Sequence, residues 1–162
     1  MPAGSLVVAM PVNSFFPELG GAQIGLHNIA TRLQARGMQP IIAIPASSWL
    51  AVRREGWQFP YPLIPLPPKL TALMAKGARI VLPLMDSYWS WLHRRFKVDV
   101  WHCTYGYPLG VSLIHYARKT GNAPHIVRCV GDDIQVDQRI KYGMRLDKSI
   151  DRQVREWLPK AD

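Results

Sequence analysis

After Ser5 the chain is apolar without interruption from Leu6 to Met10, and Pro11 closes the run. Strands covered by helices on both faces carry such unbroken apolar runs, so residues 5–10 are expected to form a central parallel strand. Pro11 to Gly21 reads as a loop, with two prolines, one asparagine and the pair Gly20-Gly21. Ile24, Leu26, Ile29 and Leu33 then recur near helical spacing as far as Gly37, a suitable C-terminal stop. Pro40 to Ile44 gives a second short β-rich run ended by Pro45. A right-handed β-α-β crossover sets these two strands parallel.

Ser47 to Lys69 is rich in Pro and Trp, and Tyr61 to Pro68 reads as an edge strand or extended segment because its prolines cannot donate to a ladder. Leu70 to Lys97 predicts a helix with a break or kink near Gly77 or Pro83. Further strands are expected at Asp99–Cys103 and Pro124–Cys129, and further helices at Leu109–Lys119 and Asp147–Leu158. Strands and helices alternate along the whole length. Residues 1–162 are therefore expected to form one Rossmann-like, doubly wound α/β domain, a mainly parallel sheet with helices on both faces. Ligands of such sheets gather beyond the carboxyl ends of the strands. The residues placed there are Gly20 and Gly21, then His102 to Tyr107, then Gly131 to Asp133.

With 48% hydrophobic and 19% charged residues the chain carries enough apolar material to fold. Its 20 Lys and Arg against 11 Asp and Glu give a net charge of +9, which favours anionic partners. Cys103 and Cys129 stand in no metal-binding spacing, and two cysteines do not make a disulfide scaffold, so a reducing cytoplasm is the expected compartment. The run at Leu6 has no Lys or Arg before it, unlike a signal peptide. Leu70 to Phe96 is broken by Lys76, Arg79, Asp86 and further charges, unlike a spanning helix.

Gly20-Gly21-Ala22-Gln23 enters the first predicted helix. Glycines let the backbone approach an anion, and a helix N-terminus offers free N–H groups with a partial positive charge, so phosphate is the natural guest. The alternative is a tight turn that needs positive φ and binds nothing. G-x-x-x-x-G-K-[ST] and G-x-G-x-x-G are both absent, which disfavours a kinase or an NAD dehydrogenase. His102 ends a strand, and Tyr105 and Tyr107 follow it; tyrosine pairs a flat apolar face with a hydroxyl, which suits sugars and other polyols. The alternative is a buried histidine and loop packing. Arg128 precedes Gly131-Asp132-Asp133, where a carboxylate can orient a hydroxyl or act as a base, or merely cap a helix. Arg145, in the loop Tyr142 to Leu146, is a further anion-seeking cation. Trp89 and Trp91 with Arg94, Arg95 and Lys97, and likewise Trp57 with Arg53 and Arg54, mix aromatic and basic residues as interfacial helices do; the alternative is a solvated face with core tryptophans. No nucleic-acid-binding motif accompanies the positive charge.

The loop ending Gly20-Gly21-Ala22-Gln23, the D-V-W-H strand at 99–102 and P-H-I-V-R-C-V-G-D-D-I at 124–134 resemble, in order and spacing, the N-terminal domain of family 4 glycosyltransferases. Leu158 to Asp162 is similar to the family segment that precedes the strand leading to a second domain. The resemblance implies one lobe of the two-lobed GT-B fold. It implies a retaining, sugar-nucleotide-dependent transferase whose C-terminal donor-binding lobe, with its paired-glutamate motif, lies outside these 162 residues. Gly20 and Gly21 would contact the donor diphosphate, with Gln23, Arg128 and Arg145 assisting. His102, Tyr105, Tyr107, Asp132 and Asp133 would line a pocket for a glycan or lipid acceptor. The sugar nucleotide is a co-substrate, and neither a metal nor a bound cofactor is expected. The family often carries a histidine where this chain has Val130, a departure that leaves that role to other residues such as Arg128. The expected location is cytoplasmic, with peripheral contact at the inner membrane face. Two other classes remain open: a non-catalytic glycan- or lipid-binding module or partner subunit, and a basic nucleic-acid-binding domain.

Overall fold

A computed structural model describes residues 5–162. Its strands are β1 (Val7–Pro11), β2 (Gln39–Ile44), β3 (Leu63–Pro65), β4 (Val100–Thr104) and β5 (His125–Arg128), and its helices are α1 (Gly21–Ala35), α2 (Ala46–Arg54), α3 (Pro68–Ala75), α4 (Leu82–Phe96), α5 (Val111–Thr120) and α6 (Lys148–Trp157). The strands form one parallel sheet in the order β3-β2-β1-β4-β5. Alternate residues of the central strand feed two cores. Val8 and Met10 pack with Leu26 and Ala30 of α1 and Val52 of α2. Val7 and Ala9 face the other way, toward Met85 and Trp89 of α4, Leu113 of α5 and Val154 of α6. Every residue of β1 is buried, which is why its sequence is apolar without alternation. The expected doubly wound, helix-covered parallel sheet is the fold observed.

Three local features add to or refine the expected pattern. Ala46–Arg54, to which the sequence pattern assigns no element, is a helix; Pro45 precedes α2 at its N-cap position, where the absence of an N–H costs nothing. The break expected in Leu70 to Lys97 falls at Gly77 and separates two helices. Gly77, at φ +79, takes the left-handed conformation that ends the first, and Pro83 lies in the first turn of α4 instead of kinking its middle. The step after β5 is a tight turn, with Ile134 N–H bonded to Gly131 O, rather than the start of a helix.

Because β1 is followed by β2 on one side and flanked by β4 on the other, the loops leaving β1 and β4 diverge. Their divergence opens a crevice at the carboxyl edge between those strands, the usual ligand position of an open α/β sheet.

Candidate functional site

The crevice holds a cleft of about 610 Å³ lined by Gly20, Gly21, Gln23, Tyr105, Arg128 and Asp132, among others. Six residues singled out from three separate segments of sequence thus share one wall. Gly20 is the N-cap of α1 with no side chain to cap the helix, and the first turn carries no acidic residue. Its early N–H groups are therefore available to an outside acceptor, and the helix dipole makes an anion the preferred one. Neither glycine has a positive φ, so the tight-turn alternative fails. At Gly20 a Cβ would stand 2.8 Å from Oε1 of Gln23, so a side chain there would require the Gln23 amide to shift in the cleft wall. At Gly21 a Cβ would meet nothing, which leaves that backbone open to the cleft.

Gln23 is buried, and its Nε2 donates to Ser14 Oγ and, at 3.5 Å, to the Tyr105 hydroxyl. Tyr105 adopts φ +86, a conformation a side-chain-bearing residue holds only when its surroundings impose it. Its N–H donates to Arg128 O at 2.9 Å, tying the loop after β4 to the end of β5. On the cleft floor the guanidinium of Arg128 rests against Gly25, where a Cβ would lie 3.0 Å from its Nη1. The missing side chain at Gly25 makes the seat that brings the cation beside the first turns of α1. The apolar spacing of residues 24–33 does not single out Gly25. Its signal was a glycine inside a helix, which costs about 1 kcal/mol relative to Ala and so needs a reason such as close approach.

Four expected site residues lie elsewhere. Tyr107 is 1% exposed and its hydroxyl donates to Met74 O; burial pushes the phenol up to about 12. It is a core residue, not part of the cleft wall. Asp133 is fully buried and accepts N–H bonds from Gly106, Val130 and Gly131, so it fastens the loops behind the cleft instead of meeting a ligand. Arg145 donates to Asp151 Oδ1 and to Ile134 O, both at 2.7 Å, which holds it in a separate groove with Arg152 and Arg155. His102 lies one step along the same face of β4 from Thr104, the register partner of Arg128, beneath the cleft rather than in its lining. Asp132 does line the cleft; burial and the neighbouring Asp133 charge push its carboxyl above the ordinary range, toward holding a proton. Burial also pushes the thiols of Cys103 and Cys129 up, away from nucleophilic use.

Burial, followed by the positive charge of Arg128, lowers the His102 pKa from its ordinary 6.5. The unfolded chain then binds the extra proton first, so the stability contributed by neutral His102 is present above 6.5 and is lost as pH falls below it. His102→Leu is expected to flatten the decline in melting temperature between about pH 7 and 5; an unchanged slope would assign it to other groups.

The model of the glycosyl transferase 4-like domain matches residues 20–161. The chain belongs to that family. No curated protein matches it. The match begins at the N-cap of α1, so this glycosyl transferase 4-like domain carries every residue that lines the cleft, and Gly25 beneath Arg128, within the shared segment. Among the described residues no helix is long and apolar enough to cross a membrane, and no group of three His, Cys, Asp or Glu side chains could hold a metal ion.

Proposed function

We propose that this domain is the acceptor-side lobe of a retaining, sugar-nucleotide-dependent glycosyltransferase. The observation that carries the reading is the seating of the Arg128 guanidinium on Gly25, beside uncapped N–H groups of α1, in one cleft at the sheet's carboxyl edge. The N–H groups following Gly20 and the Arg128 cation stabilise the charge that develops on the leaving diphosphate. Asp132 and the Tyr105 hydroxyl face the hydroxyl-bearing acceptor. A C-terminal donor-binding lobe closes the cleft from the other side and brings the sugar nucleotide. The deciding experiment incubates the protein purified from its own cells with a panel of sugar nucleotides and hydroxylated acceptors, and follows nucleoside diphosphate release. Acceptor-dependent release with retained anomeric configuration is expected. Glycan binding without release would make the protein a binding module instead.

The same reading places the protein in the cytoplasm, at an anionic membrane face. Trp89 is core, but Trp91 is 45% exposed and shares a face of α4 with exposed Leu84 and Arg95, with Arg94 next to them. A basic residue near an anionic surface contributes about 1 kcal/mol, so Arg94→Ala with Arg95→Ala is expected to weaken co-sedimentation with phosphatidylglycerol vesicles roughly 30-fold. Equal retention of the double variant would remove this face from the proposal.

A further inference from the structure

The carboxyl edge of the sheet holds a second cavity, of about 400 Å³, which none of the expected site residues line. It opens where β1, β2 and β3 end, against α3 and the turn after β4; Leu66, Ala72, Ala75, Leu109 and Met144 form much of its wall. No charged residue lines it, in a chain with 20 basic and 11 acidic side chains. Its size suits a small organic ligand, and its lining suits an apolar one.

Asn13 joins this cavity to the anion cleft. Its side chain lines the cavity and donates from Nδ2 to Tyr107 O at 2.6 Å, while its Oδ1 is buried without a hydrogen-bond partner. The next residue, Ser14, accepts from Gln23 in the wall of the anion cleft. The chain therefore sets an apolar cavity, an unmet acceptor and an anion-binding helix end in sequence along one edge. An unmet buried acceptor is costly, and because Oδ1 has no exposed surface a ligand hydroxyl satisfies it once the half-buried Asn13 side chain turns toward the cavity.

We propose that this cavity binds the apolar body of an amphiphilic acceptor, an alkyl- or aryl-bearing compound whose hydroxyl lies at Asn13 and faces the anion cleft. Its assignment as acceptor rests on the transferase reading; the cavity's preference for an apolar ligand does not. A polar monosaccharide by itself fills the cavity poorly, because its hydroxyls would be desolvated against Leu66, Leu109 and Met144 without partners.

The test uses n-octyl β-D-glucopyranoside below its micellar concentration and methyl β-D-glucopyranoside as a matched probe without the tail, each titrated into the 162-residue chain and followed by methyl NMR. The octyl compound is expected to bind at least about tenfold more tightly, with shifts at Leu66, Leu109 and Met144. Ala72 is exposed at the cavity mouth, so Ala72→Trp can close the mouth without disturbing the core. It is expected to reduce octyl-glucoside affinity at least about tenfold with the fold retained, and Ala75→Leu is the second blocking variant. Equal affinities for the two glucosides, or octyl binding unchanged by both variants, would overturn the proposal. Inorganic pyrophosphate titrated separately, read at the Gly21 amide, keeps the two readings apart. Pyrophosphate binding without octyl-glucoside binding sinks only the cavity assignment, whereas the reverse outcome removes the anion role of the first cleft and leaves an apolar-ligand site.

Discussion

Asp133→Ala is expected to destabilise the protein more than any substitution of a residue lining the cleft. The carboxylate is fully buried and holds three backbone N–H groups, those of Gly106 through Oδ2 and of Val130 and Gly131 through Oδ1, the latter two at 3.1 Å. Each donor left unpaired in the interior costs about 1–3 kcal/mol, and because losses within one loop are not additive the sum should be about 3–5 kcal/mol. For a domain of this size that corresponds to a fall in melting temperature of roughly 10 °C. Asp133→Asn separates the contributions. Its single carbonyl oxygen can still serve Val130 and Gly131, but its amide turns a donor toward Gly106 N–H, so an intermediate loss is expected. Calorimetry of the two variants checks the order; an Ala variant as stable as the parent would mean that water replaces the carboxylate. Because Gly106 follows β4 and Val130 follows β5, the same residue fixes the distance between the two loops behind the cleft.

Asp133 also marks the boundary of what the sequence makes legible. The unbroken apolar run of β1, the helical spacing after Gly21 and the alternation of elements specify the doubly wound sheet, because each reports burial directly. That architecture alone brings Gly20, Tyr105, Arg128 and Asp132 to one edge, since the place of a residue after a strand does not depend on side-chain detail. Which of two adjacent aspartates faces the cleft does depend on it. Asp132 and Asp133 differ by one position in a turn, and only the turn geometry sends one outward and the other into the loop. Tyr107 fails for a similar reason: the left-handed φ at Tyr105 and the tight turn over Gly106–Gly110 set its direction, and its ring enters the core beside α3. Arg145 finds Asp151 six residues later, a pairing set by how α6 begins at the Asp147 cap. Asn13 carried no motif at all, and its part follows only from the cavity it borders.

Arg128→Ala should reduce the affinity for pyrophosphate by about 10- to 100-fold, the loss of one charge-assisted interaction worth about 1.5–3 kcal/mol, with little change in melting temperature. The small stability effect is expected because the side chain ends on the exposed cleft floor and has no ion-pair partner among the described residues. Gly25→Ala provides the more discriminating comparison. A methyl group there stands 3.0 Å from Nη1 and 3.5 Å from Nη2 of Arg128, so the guanidinium must leave its seat by a few tenths of an ångström or swing toward solvent. In the helix itself the same substitution gains up to about 1 kcal/mol, since Ala is the better helix former. Stability should therefore rise or hold while pyrophosphate affinity falls several-fold, and Gly25→Leu should bring the affinity down to that of Arg128→Ala. A glycine retained for flexibility or by chance would show the stability gain with no loss of binding. Opposite signs on the two measurements are what a glycine that seats a ligand-binding cation requires, because helix propensity and the placement of the arginine respond to the same methyl group in opposite directions.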